Sequence, residues 1–201
     1  MNQMSKYLVA IILSLVASAA NSASVGLQPG APVVAPGGTI SFALLVNFGT
    51  QSTSGGAVDI KYDPSLLSFG SFVFDPAFGP IGTDSTPPNR DPLFDVIQVQ
   101  SPGLLSIGFG NFSGITGAFT AGEVSFEVAP GAVKGQTTSL TLADSAMFGP
   151  FFGVGPINYT GAKVTIGTVT AAVPEAASAW LFTSGLAVLG IVMLRRRADL
   201  A

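Results

Sequence analysis

The sequence predicts an all-β protein, a two-sheet antiparallel sandwich of Greek-key or jelly-roll type with about eight or nine strands. Three observations predict it. Between residues 24 and 168 apolar and polar residues alternate with period two, the mark of strands with one buried face. Glycine, proline and asparagine punctuate the joins, as at Pro36-Gly37-Gly38 and Ala129-Pro130-Gly131. No stretch of this region carries a convincing amphipathic helical pattern.

Taken in order, the chain starts with a stretch that reads as a secretory signal peptide over residues 1–23. Lys6 gives a positive start, Tyr7 to Ala20 is apolar, and Ala17-Ser18-Ala19 and Asn21-Ser22-Ala23 offer small residues for signal peptidase between about residues 19 and 23. An uncleaved N-terminal anchor is the alternative. The sandwich domain follows over 24–168. In Thr39 to Val46 the residues Ile40, Phe42, Leu44 and Val46 share one face. In Ala57 to Tyr62 the residues Val58, Ile60 and Tyr62 alternate with Asp59 and Lys61. Val124, Phe126 and Val128 alternate with Glu123, Ser125 and Glu127 in Gly122 to Val128. Ser139 to Leu142 and Ala162 to Val169 repeat the pattern, and Ser71 to Phe74, Phe94 to Gln100 and Leu104 to Phe109 are further strand candidates. Asp75 to Pro92 holds five prolines, which cannot donate to a ladder, and is expected to be a long loop. Met147 to Phe152 is an unusually apolar connection, suited to core packing or to an exposed contact patch. Residues 169–172 read as a linker to the tail.

The tail, residues 173–201, has three parts. Val173-Pro174-Glu175 precede an uncharged apolar run of 19 residues, 176–194, and then come Arg195, Arg196 and Arg197. At 1.5 Å rise per residue the run spans about 28 Å, close to a bilayer's hydrocarbon thickness, so a C-terminal transmembrane helix is expected. The arginine cluster is costly to translocate and should remain cytoplasmic, leaving the sandwich outside. The order of motif, helix and arginines resembles the PEP-CTERM sorting signal of Gram-negative bacteria, with Ala176 where that motif has its second proline. The resemblance implies handling by an exosortase, a membrane-embedded transpeptidase, and delivery from the inner membrane to the cell surface or extracellular matrix. A plain membrane anchor is the alternative.

A second resemblance lies in the sandwich. Pro36 to Phe42, then Gly56 to Phe69 with Tyr62-Asp63-Pro64 and Leu66-Leu67, is similar to the start of a cohesin domain, and Ala121 to Val128 to a later strand of it. This implies a nine-stranded jelly roll and a partner of dockerin type. On the residues alone, Asp63-Pro64 ends a strand and turns Leu66, Leu67 and Phe69 toward the core.

Composition limits the chemistry. The chain has no histidine and no cysteine, which removes Ser-His-Asp and Cys-His catalysis, histidine zinc sites and thiolate sites. Between residues 24 and 172 nine acids face four bases, a net charge of −5 that disfavours nucleic acid. Glu123 and Glu127 share a strand face about 13 Å apart, too far for a glycosidase pair on a solvated face. No catalytic residue and no cofactor is expected. Calcium is the one conceivable metal, through Asp75, Asp84, Asp91 and Asp95 in or beside the long loop, although their spacing fits no compact motif. The only tryptophan, Trp180, falls in the tail, leaving Tyr62 and Tyr159 as the sandwich's polar aromatics, so a sugar-stacking platform has weak support. Asn111-Phe112-Ser113 and Asn158-Tyr159-Thr160 fit the glycosylation sequon by chance. The expected function is non-enzymatic: adhesion or scaffolding in exopolysaccharide or biofilm, or else recognition of a polysaccharide or a dockerin-like protein.

Overall fold

A computed structural model describes residues 22–31, 33–81 and 88–167. The predicted signal peptide up to Asn21, the linker, the sorting tail with its membrane span and arginines, and Asp84 lie outside the described residues.

Among the described residues eleven strands form two sheets: β1 (Ala23–Pro29), β2 (Val33–Val34), β3 (Thr39–Asn47), β4 (Thr53–Lys61), β5 (Leu67–Phe74), β6 (Val96–Ser101), β7 (Leu104–Ile115), β8 (Ala118–Val128), β9 (Thr137–Asp144), β10 (Ile157–Thr160) and β11 (Ala162–Ile166). The first sheet runs β10-β1-β3-β8-β5 and the second β2-β11-β9-β4-β7-β6. The predicted sandwich is there, but not wholly antiparallel. β1 pairs with β10 in parallel, and β2 with β11. The strands near the two ends of the domain thus lie side by side, and β1, β2 and β10 add to the predicted set. β1 alternates Ala23, Val25 and Leu27 inward against Ser24, Gly26 and Gln28, but its small residues also suit a signal-peptide cleavage region. A two-residue strand such as β2 has no period to read.

The inward faces meet as predicted. Ile40, Phe42, Leu44 and Val46 from β3, Val58 and Ile60 from β4, Val124, Phe126 and Val128 from β8, and Leu140 and Val164 form one core. Asp63 Oδ1 accepts from the Ser65 backbone N–H (2.9 Å) and hydroxyl (2.6 Å), and this cap drops Leu67 into the core. These two hydrogen bonds, the hydroxyl's foremost, hold the exposed Asp63 carboxyl below its ordinary range.

The long proline-rich segment is built where it is described. Phe78 is 1% exposed, stacks on Phe119 at 4.6 Å between centroids and meets Phe109 edge-on. Beyond it, Asp91 caps a 3-10 turn over Pro92–Phe94 by accepting from the Leu93 N–H. Phe94 therefore belongs to this turn and not to the strand predicted to begin there; β6 starts two residues later. The turn follows from Asp91-Pro92, an acceptor followed by a residue with a preset φ.

Candidate protein-binding site

The second sheet's outer face has two unlike ends. β4 and β7 pair Gly55 with Gly110 at one end and Lys61 with Leu104 at the other, six residues or about 20 Å away. At the first end glycines clear a ledge. A Cβ on Gly110 would lie 2.7 Å from the Phe94 ring, and one on Gly55 3.0 Å from it. Phe94 lies on this ledge and meets Phe112 in a T-shaped contact, centroids 4.7 Å apart. Phe112 stays 77% exposed and Leu93, beside Phe94, 85%.

The segment after β9 runs along the same end of β4. Ala57 N–H donates to Gly149 O, and Phe152 N–H to Gly55 O. This settles the two readings of the apolar connection. Phe151 enters the core, 4.9 Å from Phe109 and 5.1 Å from Phe48 between centroids. Met147, Phe148 and Phe152 remain exposed. Leu93, Phe112, Met147, Phe148 and Phe152 thus present large apolar side chains to solvent around one end of the domain. Isolated exposed apolar residues are ordinary; a group at one place marks a contact surface.

Beneath the segment lies a buried polar group. Asp59, on the polar side of the alternation, is buried, because residues 145–149 cover its side of β4. It accepts from the Ser106 hydroxyl and from the Ala146 backbone N–H, and Ser106 in turn accepts from Gln100. This network fixes the segment's position.

On the loop side, Arg90 forms the one ion pair among the described residues, with Asp95, and its guanidinium lies 3.8 Å from the Phe74 ring centroid. Phe74 ends β5 in the first sheet and Asp95 precedes β6 in the second, so the group ties the two sheets. Burial nevertheless outweighs the guanidinium and pushes the Asp95 carboxyl above its ordinary range. Asp75 Oδ1 accepts from Ala77 N–H. Asp75, Asp91 and Asp95 are thus each engaged locally, and among the described residues no three acidic side chains gather to hold a metal.

Glu123 and Glu127 sit exposed on β8, on the first sheet's outer face, where Thr39 and Ser68 flank Glu127. Tyr62 is buried against Phe126, and the Tyr159 hydroxyl donates to Asp144 at 2.5 Å; neither ring forms an open platform. The Asn111 amide donates to Asn89 from a buried position, while Asn158 is exposed on β10. Among the described residues no helix is long and apolar enough to cross a membrane; the predicted span lies outside them.

The sequence shows Met147 to Phe152 as a contact candidate but misses Phe94 and Phe112. The available signal is the glycine pair, Gly55 opposite Gly110, which leaves room for a ring against the sheet.

No family profile matches the chain, and no curated protein sequence matches it. Solved structures do match, and the class they define is the cohesin module. The third cohesin of ScaC from Acetivibrio cellulolyticus, solved in complex with the ScaB dockerin, has 13% identity and a TM-score of 0.56, covering 72% of this chain and 99% of that one. The cohesin CaCohA2 of Clostridium acetobutylicum has 16% identity and a TM-score of 0.53, covering 75% and 94%. A non-cellulosomal cohesin of the archaeon Archaeoglobus fulgidus has 16% identity and a TM-score of 0.50, covering 75% and 95%. At these identities the likeness is one of fold: the sandwich is cohesin-like.

Proposed function

We propose that the sandwich is a non-catalytic protein-binding module that takes a dockerin-like partner on the apolar end of its second sheet. The observation that carries this is the exposed group around the glycine ledge, Leu93, Phe112, Met147, Phe148 and Phe152, on a fold shared with modules solved as dockerin complexes. Aromatic anchors around a rigid sheet suit protein recognition, since they supply contact area at small entropic cost. The polysaccharide reading has less support, because the two tyrosines are engaged in the fold.

The sequence adds the setting. A leader, a membrane-spanning tail and a PEP-CTERM-like motif support export, handling by an exosortase-type enzyme and display at the surface, where a binding module would act as an adhesive or scaffold. Titrating the protein calorimetrically against a panel of dockerin modules and of exopolysaccharides tests the binding reading. Saturable dockerin binding weakened at least tenfold by Phe112→Ala or Phe152→Ala is the expected result. Saturable sugar binding untouched by these changes, with no dockerin bound, would overturn it.

A further inference from the structure

The two outer faces of the sandwich differ in the sign of their charge. On the first sheet, β3, β8 and β5 align Thr39, Ser41 and Ala43 with Glu127, Ser125 and Glu123 and with Ser68, Ser71 and Val73. Around the two glutamates the face carries mostly small side chains, and a depression of about 450 Å³ beside Glu123 is lined in part by Ala43, Ser71, Val73, Asp75 and Ser125. Glu123 and Glu127 are exposed, and neither is ion-paired among the described residues. On the second sheet, Lys61 lies opposite Thr141 and Lys163 opposite Ser139, with Thr141 and Ser139 two residues apart on β9. Lys61 and Lys163 therefore share one outer face, exposed and likewise unpaired, while Asp59, which faces the same way on β4, is buried beneath the segment after β9 and leaves the lysines as the exposed charges there.

We infer that this protein associates head to tail with its own copies, the Glu123–Glu127 face of one molecule docking on the Lys61–Lys163 face of the next. The charges are complementary between copies and repulsive for like faces, so the contact is directional and does not close into a symmetric pair. Five strands about 4.8 Å apart and eight residues long give about 600 Å² per face, the lower end of specific interfaces. The contact is thus weak singly and sensitive to salt, and it gains from crowding on a surface. The lysines lie at the other end of β4 from the apolar ledge, and the inference does not rest on the partner proposed for that ledge.

The absence of cysteine makes the test clean. Full-length Glu123→Cys and Lys61→Cys proteins, in mild detergent, are treated with a short bis-maleimide alone and mixed. The mixture is expected to give a dimer at least tenfold faster than either protein alone, and a chain carrying both changes should give a ladder of higher species. At 1 M salt, where the screening length falls to about 3 Å, the ladder should disappear. Charge changes test the faces: Glu127→Lys in the Lys61→Cys protein leaves its cross-linking to the Glu123→Cys protein unaffected, Glu127→Lys in the Glu123→Cys protein slows it, and Lys163→Glu added to the Lys61→Cys partner then restores it. Equal cross-linking by single proteins and by the mixture, indifference to salt and charge, or no cross-linking above a denatured control would each overturn the inference.

Discussion

Arg90 holds its guanidinium against the Phe74 ring while paired with Asp95, yet Arg90 Nε and Asp95 Oδ1 have no hydrogen-bond partner among the described residues. Arg90→Ala strands a partly buried carboxylate and removes the ring contact; a loss of about 2 kcal/mol is expected in urea unfolding, with Arg90→Lys losing less. Because burial raises the Asp95 pKa, the folded state holds that proton more tightly than the unfolded chain. Its contribution is fully present below the ordinary carboxylate pKa and falls as pH rises through the raised value. Asp95→Asn should flatten that part of the stability profile. At the alkaline side, burial first and the Asp144 bond second raise the Tyr159 pKa. Stability from this group is present below the ordinary tyrosine value and is lost as pH rises past it. Tyr159→Phe should cost about 1 kcal/mol at neutral pH and remove this alkaline dependence, measured by denaturation at several pH values.

Among the elements, β4 and the segment after β9 depend on each other. A Cβ on Gly56 would meet the Phe151 Cα at 2.4 Å, a backbone atom that has no rotamer to yield. Gly56→Ala is expected to displace Phe151 and cost about 3 kcal/mol, read as a lower urea midpoint. The same pair of elements shows what the sequence can and cannot reveal. In β3 one face meets the core and the other meets water, so Ile40, Phe42, Leu44 and Val46 are legible from alternation alone. In β4 the outward Asp59 follows the period correctly but is buried by residues distant in sequence, which no local pattern records. The apolar ledge is half legible for the same reason: Met147 to Phe152 is contiguous, whereas Phe94 and Phe112 join it only through the fold.

At the scale of the whole domain, the late strands complete both sheets. β10 pairs with β1, and β11 lies between β2 and β9 with Val164 and Ile166 buried. A chain ending at residue 156 should therefore lose its cooperative unfolding transition, seen by circular dichroism during a thermal scan. β11 runs alongside β4 in the same direction, since both are antiparallel to β9. β11 therefore ends at the Lys61 end of the second sheet, remote from the apolar ledge. Tension applied between that end of β11 and a load held at the ledge would run along the strands. The ladder bonds would then be strained together in shear instead of peeling open one after another, the geometry in which a β-sheet yields last.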